Sequence, residues 1–151
     1  VVEKVVVDTS VLIDALEEGD EELLAALVER EVLVPYVALY EYLYGYLYLG
    51  RDAEKEKRVL EKLFTIVYPD QQVLMKALEI DVALAKEGSR VPQADIIIAA
   101  TAIAAGAPLL TKDLRHYPWL KKFGLEVIAR AFPIAAGALP TALLRILYPF
   151  L

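Results

Sequence analysis

Asp8, Glu41, Asp95 and Asp113 occupy sequence contexts that a solvated surface does not explain. Asp8 ends the unbroken apolar run Val5-Val6-Val7 and is followed by two hydroxyls, Thr9 and Ser10; Asp113 closely follows a second apolar run, Leu109-Leu110, through Thr111 and Lys112. Glu41 has Val37 one helical turn before it and Gly45 one turn after, so its carboxylate falls on an apolar stripe and needs a partner to offset desolvation. Asp95 lies in the first turn of a helix opened by Pro92, on a segment with little polar face beyond Thr101. Singly, each has a plain structural explanation: Asp8 as a helix cap, Asp95 as a first-turn acid favoured by the helix dipole. Together they suggest more, because gathered carboxylates repel unless a cation neutralises them, and no Lys or Arg adjoins Asp8, Glu41 or Asp95. Oxygen donors, no Cys and a single His favour Mg²⁺ or Mn²⁺ over zinc. Such ions bind through a few carboxylates plus substrate phosphate, so the pattern points to phosphodiester hydrolysis or phosphoryl transfer.

The elements that must position these acids can be read along the chain. Val5–Val7 has no polar alternation and suits a strand buried on both faces, with Asp8 at its carboxyl end, the edge where open α/β sheets bind ligands. Val11, Leu12 and Ala15 carry a helix to Glu17; Gly19 breaks it, and Asp20 opens another through Glu29. Val32–Val34 is a strand, and Pro35 suits the first turn of a helix running to about Leu49, where Gly50 stops it. Asp52–Leu63 reads as a helix charged on one face, Thr65–Tyr68 as a strand, and Asp70 caps a helix to about Glu87. A helix from Pro92 through Ala104 leads to the strand Leu109–Thr111, a short helical or irregular segment ending near Gly124, and a last strand, Leu125–Ala129. This alternation predicts a three-layer α/β/α domain with a central, mainly parallel sheet.

Composition bounds the function. The 151 residues suffice for one domain with a substantial core, since 58% are hydrophobic. The absence of cysteine excludes disulfides and thiolate catalysis and fits a reducing cytosol. No signal-peptide pattern precedes the first strand, so a cytoplasmic location is expected. A net charge of −6 runs against broad electrostatic capture of nucleic acid, so any such contact must be local or assisted by metal. Residues 133–151 are nearly all apolar, Arg145 being their one charge, and Pro140 and Pro149 interrupt them, which argues against a membrane span. The division expected is a catalytic domain over 1–132 and an apolar extension over 133–151 that packs on the domain, a second subunit or a partner.

Val-Asp-Thr-Ser-Val-Leu-Ile-Asp, Tyr-Glu-Tyr-Leu-Tyr-Gly, Ala-Asp-Ile-Ile-Ile-Ala-Ala-Thr-Ala and Leu-Leu-Thr-Lys-Asp, in this order and spacing, resemble a PIN domain over Val5–Ala129. The short single domain is most similar to VapC-type toxins of toxin–antitoxin pairs. That resemblance implies a ribonuclease in which Asp8, Glu41, Asp95 and Asp113 hold one or two divalent ions, Mg²⁺ or Mn²⁺. It implies in-line attack of water on an RNA phosphate, giving a 5′-phosphate and a 3′-hydroxyl, while the cation stabilises charge on the phosphate oxygens. Asp8 and Asp95 are the foremost candidates for direct ligands; Glu41 is open to ligation or to activating water from outside the ligand set. Ser10 and Thr111 match hydroxyl positions that orient the carboxylates or the attacking water. A protein antitoxin and a homodimer are the partners implied.

Lys112 and Arg115 beside Asp113 are candidates for contact with RNA phosphates, and His116, Lys121 and Lys122 belong to the same basic stretch, which reads equally as a solvated face. His116 is a weak candidate for a base, because water activated by a metal needs no imidazole. Asp14, at the far end of the first helix, suits a structural or outer role. The tyrosines at 36, 40, 42, 44, 46 and 48 suit a helix packed on more than one side better than a base-stacking platform. The rival readings are a PIN nuclease of RNA processing or quality control, a catalytically silent PIN-like binding module, and an aspartyl-phosphate fold. Against the last, a phosphatase would want an Asp where the chain has Ser10.

Overall fold

The computed structural model describes residues 3–129, so the apolar stretch 133–151 lies outside the described residues. Strand β1 (Lys4–Val7) is followed by α1 (Thr9–Leu12), which widens into a π-helical turn over Ile13–Glu17, and then by α2 (Glu21–Val28). Next come β2 (Glu31–Pro35), α3 (Tyr36–Tyr48), α4 (Ala53–Leu63) and β3 (Thr65–Val67). Two longer helices, α5 (Gln71–Lys86) and α6 (Gln93–Ala105), precede β4 (Leu109–Thr111), a 3₁₀ segment (Tyr117–Phe123) and β5 (Val127–Ala129). The five strands form one all-parallel sheet in the order β3-β2-β1-β4-β5, the centre of an α/β/α sandwich. The expected mainly parallel sheet is thus parallel throughout.

This order decides where chemistry can happen. From β1 the chain moves outward through β2 to β3, then crosses back and continues from β4 to β5 on the other side. The direction of winding reverses between β1 and β4, and the loops leaving their carboxyl ends diverge there to open a crevice. Asp8 leaves β1 and Asp113 leaves β4, so both border that crevice.

The sequence explains how the elements are held. Val5, Val6 and Val7 are fully buried, as are Leu109 and Leu110 beside them, which accounts for the lack of polar alternation in both central strands. Helix α6 buries Ile96, Ile98, Ala99, Ala100, Thr101 and Ala102, more than one face, and packs on α5, α3, β1 and β2. Thr101 returns its hydroxyl to the Ile97 carbonyl at 2.7 Å, so its polarity is used inside the helix. Gly106 takes a left-handed conformation (φ 63°) that ends α6 and turns the chain toward β4, a position where a Cβ would be strained. Asp20, Asp52 and Asp70 cap α2, α4 and α5 by accepting from the amides of Leu23, Lys55 and Val73. Pro35 and Pro92 sit one residue before the first helical residue rather than within the first turn, because each keeps an extended ψ, 141° and 140°. Tyr42 is buried on α3 and donates to Glu56 on α4 at 2.7 Å, tying the two helices together.

Candidate active site

Asp8 is both a cap and a site residue. Its Oδ1 accepts from the Val11 amide at 3.1 Å, capping α1, and from the Ser10 hydroxyl at 2.6 Å. Its Oδ2 accepts from the Thr111 hydroxyl at 2.5 Å, across the β1–β4 crevice. The residue is 4% exposed. Burial pushes its carboxyl above the ordinary carboxylate value, the Ser10, Thr111 and Val11 donors pull against that, and the negative charge of Asp113 adds to the rise.

Thr111 links the two strand ends. While donating to Asp8, its fully buried Oγ1 accepts from the Asp113 amide at 2.9 Å, so one hydroxyl fixes both the Asp8 carboxylate and the turn carrying Asp113. Ser10 works similarly, donating to Asp8 and accepting from the Lys112 amide at 3.3 Å. Both hydroxyls thus donate to the Asp8 carboxylate, one to each oxygen.

The loop after β4 answers the repulsion problem differently from the expectation drawn from sequence neighbours. Arg115 holds Asp113 through its backbone amide (2.9 Å), Nε (3.2 Å) and Nη2 (3.4 Å), and this pairing keeps the Asp113 carboxyl below the ordinary value. Lys112 reaches back to the buried Asp14 at 3.0 Å. His116 places Nδ1 3.1 Å from Oδ2 of Asp95, while the buried Tyr117 donates to Oδ1 of Asp95 at 3.3 Å. Burial and the charges of Asp8, Asp95 and Asp113 push the Tyr117 phenol far up, so it remains a donor. The fold thus brings cations to Asp113 and Asp14, from Arg115 and Lys112, and so relieves part of the repulsion without a metal ion.

The donor set still fits one. Asp95, Asp113 and His116 can each offer a ligand atom with all three atoms within 4.8 Å of one another, the one such group among the described residues. Asp8 borders this group through Thr111 and through its influence on Tyr117. Glu41 does not join it. It is exposed on α3, against the expectation of a desolvated carboxylate, because Val37 is only half-buried and Gly45 faces open space; its Oε1 accepts from the Thr9 hydroxyl at 2.9 Å. Asp14 lies in the wall of a cleft of about 540 Å³ shared with Ser10, Ile13, Lys112, Asp113, Leu114 and Arg115.

Two contributors were underweighted by the sequence. His116 drew attention as part of a basic stretch and as a weak candidate for a base, whereas its position beside Asp95 makes it a candidate ligand or orienting group. Tyr117 carried no signal at all, since nothing short of the fold places a residue after β4 against the first turn of α6.

The PIN domain family model matches residues 5–118. Ribonuclease VapC1 of Methanocaldococcus jannaschii is 34% identical over 128 residues, 82% of this chain and 86% of that protein. A VapC ribonuclease of Pyrococcus furiosus is 31% identical over 102 residues, 68% of each chain. In fold, the chain resembles a structure of VapBC2 from Rickettsia felis bound to a promoter DNA fragment, with a TM-score of 0.74 and 16% identity over 85% of this chain and 99% of that one. The chain belongs to the PIN domain family, in company with its VapC-type ribonucleases.

Proposed function

We propose that the chain is an endoribonuclease that hydrolyses RNA phosphodiester bonds with a divalent cation, Mg²⁺ or Mn²⁺, and that it is the toxin of a VapBC-type toxin–antitoxin pair acting on cytoplasmic RNA. The observation that carries this reading is the convergence of Asp95, Asp113 and His116 within one ion's reach, beside Asp8 at the β1–β4 crevice. The VapC ribonucleases to which the chain is similar support the choice of RNA.

Asp95 and Asp113 would hold the ion, with Asp8 and Glu41 as the remaining acidic candidates from neighbouring elements. When bound, the ion supplies charge stabilisation at the phosphate oxygens and acidifies water. The chain's own groups supply position. Ser10, Val11 and Thr111 fix the Asp8 carboxylate, and Tyr117, held protonated, fixes Asp95. Lys112 and Arg115 line the cleft with long exposed side chains whose partners, Asp14 and Asp113, are acidic; an RNA phosphate competes for the same cations and so docks beside the carboxylates rather than elsewhere on a chain of net charge −6.

Partners follow from a separate surface. Tyr36, Tyr40, Tyr44, Leu47 and Tyr68 are exposed and line a groove of about 340 Å³ between α3 and α4, and Leu74, Met75, Leu78 and Val82 are exposed along α5. Apolar surface of this kind supports an antitoxin segment and a second copy of the chain as occupants. No helix among the described residues is long and apolar enough to cross a membrane.

The test is cleavage of a mixed RNA pool by purified protein in Mg²⁺ or Mn²⁺, with EDTA and Asp95→Asn as controls. Cleavage that disappears in both controls supports the proposal. Cleavage that survives chelation and Asp95→Asn contradicts it.

A further inference from the structure

The chain has one histidine, and it stands in the active-site cluster. Its surroundings do not explain it as a core residue, since it is about a quarter exposed, nor as a solvated surface residue, since Nδ1 is aimed at Asp95. We infer that His116 is a direct nitrogen ligand of the divalent ion, completing with Asp95 and Asp113 a mixed nitrogen–oxygen site that takes Mn²⁺ in preference to Mg²⁺. This inference rests on the metal-dependent reading above and deepens it.

The spacing supports coordination. An octahedral ion with bonds of about 2.1 Å sets neighbouring donors about 3 Å apart and opposite ones about 4.2 Å apart. Nδ1 of His116 and Oδ2 of Asp95 are 3.1 Å apart, and the three donor atoms all lie within 4.8 Å of one another, so one ion reaches them with small side-chain shifts. Neighbouring side chains already hold the ring beside Asp95. His116 immediately precedes the 3₁₀ segment whose first residue, Tyr117, is buried and bonded to the other oxygen of Asp95, and the ring lies edge-on to Trp119 with centroids 6.4 Å apart. The same carboxylate is therefore gripped from both sides by consecutive residues. The third donor can be released, because the Arg115 side chain that covers Asp113 is 81% exposed and can swing into solvent.

Imidazole alters which ion is favoured. Carboxylate and water donors alone suit Mg²⁺, whereas a nitrogen ligand adds affinity for transition ions that a hard ion such as Mg²⁺ gains little from.

The test uses untagged full-length protein, in which any imidazole signal comes from this residue. Mn²⁺ is titrated into wild type and His116→Gln, bound ion is counted from loss of the free Mn²⁺ paramagnetic resonance, and pulsed electron spin echo spectra are searched for coupling to a coordinated ¹⁴N. The inference predicts strong nitrogen coupling in wild type, its loss in His116→Gln, at least about tenfold weaker Mn²⁺ binding in that variant, and a much smaller change for Mg²⁺ measured by competition. Bound Mn²⁺ without directly coordinated nitrogen would overturn the inference and leave the carboxylate metal site standing. Nitrogen coupling that persists in His116→Gln would overturn it too. Absence of Mn²⁺ binding to folded wild type would remove the metal-dependent reading itself.

Discussion

Thr111→Val removes one oxygen atom and keeps the side chain's shape, yet it breaks the joint between the two strand ends. In the wild type the Thr111 hydroxyl donates to Asp8 at 2.5 Å and accepts from the Asp113 amide at 2.9 Å, in a fully buried position. A hydrogen bond to a charged acceptor contributes about 1.5–3 kcal/mol, and an amide left without its partner costs about 1 kcal/mol where water reaches it in part, as it does at the half-buried Asp113. The expected loss is about 2–4 kcal/mol, a large share of the roughly 5–15 kcal/mol that holds a domain together. It corresponds to a fall in Tm of roughly 5–15 °C for a chain of this size. The deficit depends on pH. The lost donor favoured the ionised form of Asp8, so the variant pushes that carboxyl further up, and its disadvantage shrinks in acid, where Asp8 is protonated in both proteins. Urea unfolding followed by circular dichroism measures this as a lower midpoint at unchanged slope. Thr111→Ser is the control: it keeps the hydroxyl, loses a methyl, and should cost only about 1 kcal/mol. A Thr111→Val protein within 0.5 kcal/mol of wild type, or a Thr111→Ser protein as damaged as the valine variant, would refute this account of the joint.

Asp8→Asn should be at least as stable as wild type at neutral pH in the absence of metal. Burial raises the folded-state pKa of Asp8, so just above the ordinary carboxylate value the folded chain holds more protons than the unfolded one, and stability falls as pH rises through that window. The variant's advantage should therefore vanish at low pH and grow as pH rises, which thermal unfolding across pH 3–7 checks. Asp113 has the opposite sign: its pKa is lowered by Arg115, so the stability it contributes is present above the ordinary value and lost as pH falls through the depressed one. Arg115→Ala should reduce that acid-side loss while the Arg115 backbone amide keeps a part of it, as unfolding curves compared at several acid pH values would show. For RNA binding, Lys112→Ala with Arg115→Ala should flatten the dependence of log affinity on log salt by about 1.4, the value for two single-strand phosphate contacts. An unchanged slope would remove both side chains from the RNA interface.

Much of the fold was legible because the central strands and α6 are nearly pure apolar runs and the helix starts are marked by Asp20, Asp52 and Asp70 at capping positions. The placement of Asp8 was legible for a related reason, since a polar residue that ends a buried strand has few places to go but the carboxyl edge of the sheet, whereas Thr111 was singled out only through the family resemblance. The widening of the first helix over Ile13–Glu17 left no mark in the hydrophobic spacing. Glu41 misled, because a stripe defined by Val37 and Gly45 is apolar in sequence but flanks solvent in the fold. The pairing of Arg115 with Asp113 and of Lys112 with Asp14 was hidden for opposite reasons. The first spans only two residues, but Arg115 was read as a contact for RNA phosphate or as part of a solvated face; the second joins residues 98 apart and exists only once β4 lies beside β1.

On this reading the carboxylates at the β1–β4 crevice serve RNA cleavage and not the stability of the fold. Measuring cleavage rate and Tm together on Asp8→Asn, in Mn²⁺ and at neutral pH, tests it most directly. The expected result is cleavage reduced at least about a hundredfold, in line with a weakened hold on the ion that stabilises charge in the transition state, in a protein whose metal-free Tm is equal to or above that of wild type. Cleavage retained in the variant, or lost only in step with a lowered Tm, would contradict it.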